Sequence, residues 1–170
     1  MFHDNGVFNG KFVIGESDKS TVNLAATDIA IGMKYTKDDG SVASVPIPVG
    51  SILLDSVITD YQAQNLIVIG KTCTEANTVA AQLLPGYTCT MLNDEYTVSG
   101  DPIPPFSPGQ GYVKLIQHPN GNYAMLVTGW SYADIRFAGK IIAQKPQLLQ
   151  GTELLIEGTT VNTATIKLIK

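Results

Sequence analysis

The chain has 170 residues, 44% of them hydrophobic, which is enough for one domain with a buried core and excludes a disulfide-built miniprotein or a disordered tail. Eleven basic against fifteen acidic residues give a net charge of −4, and Arg136 is the single arginine, so a dense phosphate-neutralising surface cannot be assembled and nucleic acid is not the expected partner. Only 15% of residues are charged, against a usual figure of about 25%, while Thr and Gly reach 16 each.

One local pattern occurs three times: an apolar run, a glycine, a polar loop, then apolar residues at helical spacing. The first copy begins at Phe12-Val13-Ile14-Gly15, and Val22, Ala25, Ala26, Ile29, Ala30 and Met33 then fall on one helix stripe. The connector from Tyr35 to Gly50 follows, with a turn at Asp38-Asp39-Gly40 and prolines at 46 and 48. The second copy begins at Leu66-Ile67-Val68-Ile69-Gly70 and continues into Ala76, Val79, Ala80, Leu83 and Leu84, stopped by Pro85 and Gly86. The segment from Tyr87 to Ser107, rich in turn formers and proline, reads as an ordered connector. Two strands, Gly111 to Gln117 and Asn122 to Val127, flank His118-Pro119-Asn120-Gly121, and Asn-Gly is a strong hairpin signal.

The third copy starts within that second strand, at Met125-Leu126-Val127-Thr128-Gly129, and leads to Ile135, Ala138, Ile141 and Ile142 before Pro146. Ser131 with Asp134 three residues on is a capping-box start; Ser17, Ser20, Thr72 and Thr74 are the candidate caps of the other two helices. Thr152 to Gly158 and Thr163 to Ile169 close the chain as strands. Apolar strands alternating with amphipathic helices imply crossovers between parallel neighbours. The expected fold is therefore a single α/β domain with a mixed, mostly parallel sheet, a hairpin and C-terminal strands.

Most familiar chemistry fits poorly. Gly129-Trp130-Ser131-Tyr132-Ala133 approaches the G-x-S-x-G elbow of serine hydrolases, with Ala at its last position. That fold places its histidine after the serine, whereas His3 and His118 both precede Ser131, so Ser131 reads as a helix cap. A phosphate-binding loop would need several glycines opening a helix, and each loop here has one. Two distant histidines make no zinc or iron cluster. Asp38/Asp39, Asp94/Glu95 and Glu16/Asp18 are oxygen pairs for calcium, but none matches the D-x-D-x-D-G loop, so no cofactor is expected. Trp130 and Tyr132 read as exposed aromatics, suited either to a sugar or neighbouring subunit or to covering the sheet end. Cys73 and Cys89 belong to no CxxC motif; they form a disulfide in an oxidising compartment and stay buried thiols in a reducing one. No apolar stretch reaches the roughly 18 to 20 residues of a membrane span, and MFHDNGVFNG lacks the regions of a signal peptide.

Taken together, these segments resemble the archaeal S-layer proteins. Phe8 to Gly15 followed by Thr27-Asp28-Ile29-Ala30 is similar to that family's opening "FNG..VVG" strand and "A.DIA" helix. Asn65 to Gly70, then Cys73 and Asn77, resembles its "NLI.VGG.C.N" block, with Lys71 in place of the second glycine. In the run from Gly111 to Ala143, Asp134, Arg136 and Ala138 agree with "AEDTRRA" while Ile135 departs. Gly151-Thr152-Glu153 to Gly158-Thr159 is similar to the closing "GTE…V.GT" strand.

Family members are usually several times longer, with large domains between the first two blocks. Only residues 34–64 stand there in this chain, which therefore resembles the compact core without that insertion. The resemblance implies a non-catalytic, secreted structural protein of the cell surface acting through contacts with copies of itself or envelope neighbours. It also implies an oxidising exterior with a Cys73–Cys89 bridge, and structural roles for Ser131, Asp134 and Arg136, the last two as a salt bridge or cap at the helix start. The alternatives are a surface module that binds glycan or protein through Trp130, Tyr132 and the Pro102 to Pro108 loop, and, further off, a hydrolase using Ser131.

Overall fold

The computed structural model describes residues 2–86 and 105–170, together with the backbone of strands β8 (Cys89–Leu92) and β9 (Glu95–Val98). The chain opens with a two-residue-per-strand hairpin, β1 (His3–Asp4) and β2 (Val7–Phe8), and enters the main sheet at β3 (Lys11–Ile14). Helix α1 (Ser20–Gly32), the small hairpin β4 (Lys34–Thr36) and β5 (Val42–Ser44), and strand β6 (Ile52–Leu54) follow. Next come β7 (Leu66–Ile69), α2 (Thr78–Leu83), the paired β8 and β9, and the long hairpin β10 (Gln110–Gln117) and β11 (Tyr123–Gly129). Helix α3 (Tyr132–Gln144) and strands β12 (Glu153–Glu157) and β13 (Thr165–Leu168) complete the chain.

Seven strands form one mixed sheet in the order β13-β12-β10-β11-β7-β3-β6. Strands β6, β3, β7 and β11 are mutually parallel; β10, β12 and β13 join antiparallel. The three strand-glycine-helix units thus supply three adjacent parallel strands, β3, β7 and β11, as the repeated pattern implies. All four residues of β7 are buried because it is central and helices cover both of its faces.

Residues of alternate parity divide the core in two. Phe12, Ile14, Ile67, Ile69 and Val127 point to the face covered by α1 and α3, and Val13, Leu66, Val68 and Leu126 to the face covered by α2. On the first face the two long helices run side by side, with Ala25 against Gly139 and Gly32 against Ala143, where small side chains permit close approach. α1 buries Val22, Ala25, Ala26 and Ile29, as its stripe dictates, and ends when Met33 turns extended. α3 buries Ile135, Ala138 and Ile141 and stops at Lys145, since the following Pro146 disfavours helix at the residue before it.

Several local expectations are corrected. The Tyr35 to Gly50 connector carries the β4–β5 hairpin, and Ile52–Leu54 adds an edge strand, both too short to give a period. Lys19 occupies the N-cap of α1, where its side chain does not cap the helix, and Asn77 caps α2 by accepting from the Ala80 N–H, so none of Ser17, Ser20, Thr72 or Thr74 is the cap. An asparagine carbonyl at this position satisfies an otherwise orphan amide as well as a hydroxyl does. The residues from Tyr87 to Pro104 lie outside the described side chains.

Candidate functional site

In a sheet of this kind ligands enter at the carboxyl ends of adjacent strands whose following helices leave to opposite faces. That point lies between β3 and β7, since α1 packs on one face and α2 on the other. Gly15 and Gly70 end the two strands, and the crevice between them holds Asp18. A Cβ on Gly70 would stand 2.0 Å from Asp18 Oδ2, and one on Gly15 2.6 Å from the same oxygen. The carboxylate fits there because neither strand end carries a side chain.

Asp18 Oδ1 accepts from the Tyr132 hydroxyl at 2.9 Å and from the Lys71 backbone N–H at 3.5 Å. Its Oδ2 is buried and faces the Asn77 amide, which donates one of its two N–H groups to the Ile69 carbonyl. Burial pushes the Asp18 carboxyl up to about 6, against the opposing influence of the Tyr132, Lys71, Gly15 and Asn77 groups. Lys71 is fully buried, donates from Nζ to the carbonyls of Gly129 and Trp130, and lies 5.2 Å from the Tyr132 ring centroid. Tyr132 thus stands between a largely buried carboxylate and a buried ammonium, joining the β3, β7 and β11 loops.

A second carboxylate fastens the neighbouring loop. Asp55 Oδ1 accepts from the Glu16 N–H at 2.8 Å, and Oδ2 from the Thr78 N–H at 2.7 Å and its hydroxyl at 2.8 Å. Burial alone would raise this group, but these donors together hold it below the ordinary carboxylate range. Asp55 therefore ties the segment after β6 to the loop after β3 and to the first residue of α2. No motif or spacing marks Asp55 in the sequence.

Ser131 forms a complete capping box. Its Oγ accepts from the Asp134 N–H at 3.1 Å and donates to Asp134 Oδ2 at 2.7 Å, while the Ser131 N–H donates to that carboxylate at 2.9 Å. The histidines are elsewhere. His118 sits in the β10–β11 turn, edge-on to Tyr61, at the end of the hairpin away from Ser131, about 20 Å along the strands. His3 lines a cleft at the far ends of α1 and α3. Ser131→Ala is expected to lose about 1 kcal/mol of unfolding free energy, read by urea denaturation, with helix α3 retained.

Arg136 does not pair with Asp134, whose Oδ2 is committed to the cap. It faces Asp28 of α1 instead, Nε to Oδ2 at 3.9 Å, a half-exposed link between the helices. Trp130 and Tyr132 are not an exposed pair and follow the other reading, side chains laid against the sheet: Tyr132 is 4% exposed and anchors Asp18, and Trp130 packs against the core on the α2 face. Position N1 of a helix that leaves the sheet end turns a side chain back over the strands, which sequence spacing could not separate from exposure.

Clefts among the described residues include two on the helix-bearing side. One of about 600 Å³ is apolar, lined by Phe2, Ile29, Met33, Ile67, Met125 and Ile142. The other, about 620 Å³, lies outside the α3 start, with Lys19, Thr21, Ser131, Arg136, Lys140 and Thr159. Among the described residues no group of three or more His, Cys, Asp or Glu side chains could hold a metal ion; Glu16 is exposed, and Asp94 with the Glu95 side chain lies outside those residues. No described helix is long and apolar enough to cross a membrane. Cys73 is 1% exposed and disulfide-bonded; the Cys89 side chain lies outside the described residues. No protein-family model matches this chain, and no curated protein matches it.

Proposed function

We propose that this chain is a non-catalytic structural protein of the cell surface, of the archaeal S-layer type in compact form, acting through protein–protein contacts. The observation that carries the reading is the crevice at the switch point. Where α/β enzymes hold a ligand, this chain seats its own Asp18 against Gly15 and Gly70 and ties it to Tyr132. Ser131, the one serine in an elbow-like motif, is spent on the helix cap. Both arrangements stiffen the loop end of the sheet.

An exterior location agrees with Cys73 being bonded, since disulfides persist in oxidising compartments. Cys89 is the other cysteine of the sequence, and the proposed bridge is Cys73–Cys89. It closes a loop worth on the order of 3 kcal/mol in the chain-entropy view. Reduction is therefore expected to lower the thermal midpoint of the wild type and to leave a Cys73→Ala, Cys89→Ala double variant unmoved.

The reading is tested by fractionating cells that express the protein and by light scattering and electron microscopy of the purified chain, with and without calcium. Recovery in the envelope fraction with concentration-dependent association is the expected result. A strict monomer confined to the cytosolic fraction would overturn it, as would labelling of Ser131 by a fluorophosphonate probe.

A further inference from the structure

Both edges of the seven-stranded sheet are open among the described residues: β6 pairs with β3 alone and β13 with β12 alone. Natural edges are blunted by being very short, by charges, by proline or by a bulge. β6, Ile52-Leu53-Leu54, is short but carries no charge, proline or bulge. The Phe12 N–H donates to the Ser51 carbonyl, so Ser51 and Leu53 turn their backbone groups inward and Ile52 and Leu54 turn theirs outward. On β13 the Ile169 N–H donates to the Glu153 carbonyl, which leaves Ile166 and Leu168 facing outward in the same way.

The side chains of these four residues share one face. Ile52 and Leu54 lie beside Phe12 and Ile14, which point toward α1 and α3, and Ile166 packs against that same core with Leu168 two residues on. Ile52 is 44% exposed, Leu54 39% and Leu168 63%. Beside β6 the outer stripe of α1, with Leu24 and Ile31, is uncovered and borders a shallow apolar groove of about 420 Å³ with Ala30, Val45, Ile47 and Ile52. One edge thus has a helix with no sheet beneath its outer stripe; the other has a sheet strand with exposed aliphatics on its helix-bearing face.

We propose that copies of this chain join head to tail through these edges, β6 of one pairing antiparallel with β13 of the next, Ile52 opposite Leu168 and Leu54 opposite Ile166. This inference rests on the structural-protein reading and names its contact. The strand directions agree, because β13 runs opposite to β6 within the sheet and a copy continuing the sheet presents it antiparallel. Leu53 then meets Lys167, whose ammonium is already bonded to Glu157 at 2.9 Å. The outer stripe of α1 covers Ile166 and Leu168 of the neighbour.

Pairing of β13 with another β13 is disfavoured, since the register that uses both outward residues sets Lys167 directly against Lys167. Pairing of β6 with β6 leaves Leu168 uncovered. The head-to-tail contact does not close on itself, so it propagates, each copy rotated by the accumulated strand twist.

The test uses the whole chain and two variants that each block one edge, Ile52→Lys and Leu168→Lys, with Leu54→Lys as a second β6 block if the first lowers the thermal midpoint. Analytical ultracentrifugation is expected to show concentration-dependent growth for the wild type and monomers for each variant alone. A 1:1 mixture of the two variants, which restores one intact β6–β13 contact, is expected to give dimers that grow no further. A mixture that stays monomeric while the wild type associates, or association of Leu168→Lys equal to the wild type, overturns the edge contact and leaves the structural-protein reading standing. A wild type that is monomeric at the highest attainable concentration overturns both.

Discussion

Gly15→Ala is expected to cost this protein about 3 kcal/mol or more of stability, one of the largest losses from any single methyl group in the fold. The added Cβ would stand 1.9 Å from the Ala76 carbonyl oxygen and 2.6 Å from Asp18 Oδ2. The first contact is with backbone, and that backbone is fixed: the Ala76 and Asn77 N–H groups both donate to the Cys73 carbonyl, and Asn77 caps α2. Relief would need the β7–α2 loop to move off β3, opening the crevice that Asp18 fills. Gly121→Ala supplies the comparison. Its φ is +89 and nothing lies within 4 Å of the added atom, so it suffers the left-handed backbone cost alone, about 1 kcal/mol. Urea midpoints of the two variants separate the causes, and equal losses would show that the contact with Ala76 is relieved without cost.

The same loop explains what the sequence could and could not disclose. The parallel core was legible because β3, β7 and β11 each end in a glycine and each leads to apolar residues at helical spacing, so local pattern and global topology agree. The capping box was legible because Ser131 and Asp134 stand at the required separation. The polar cluster was not. Asp18, Lys71, Asn77 and Tyr132 come from three separate segments, the β3–α1 loop, the β7–α2 loop and the start of α3, up to 114 residues apart, and meet only once the strands are in order. Lys71 was visible as a departure from the glycine of the S-layer pattern that the sequence resembles, yet burial of an ammonium is set by carbonyls of Gly129 and Trp130 that carry no sequence signature. The edge strand β6 escaped because three apolar residues define neither period, and its partner β3 identifies it only in space.

Asp18 gives the fold an acid-favoured stability. The proton is held with a value of about 6 in the folded chain against 3.8 for the free side chain, because burial disfavours the charged form more than Tyr132, Lys71, Gly15 and Asn77 favour it. Between those two values the folded state binds more proton than the unfolded state, so stability falls as pH rises through this window and is flat beyond it. A shift of that size corresponds to about 3 kcal/mol over the window for a largely buried group. The groups facing the carboxyl are the Tyr132 hydroxyl from α3, the Lys71 backbone amide from the β7 loop and the Asn77 amide before α2; the Lys71 and Lys19 ammonium groups lie 5.2 and 5.9 Å from the Tyr132 ring centroid. Asp18→Asn keeps the acceptor for Tyr132 and removes the charge. The variant is therefore expected to be more stable than the wild type near pH 8 and to lose this window, with the two curves converging toward pH 4 as the wild-type carboxyl takes up its proton. Urea denaturation of both proteins across that range measures the difference directly, and curves that run parallel from pH 4 to pH 8 would mean that Asp18 is charged at no cost in the folded crevice.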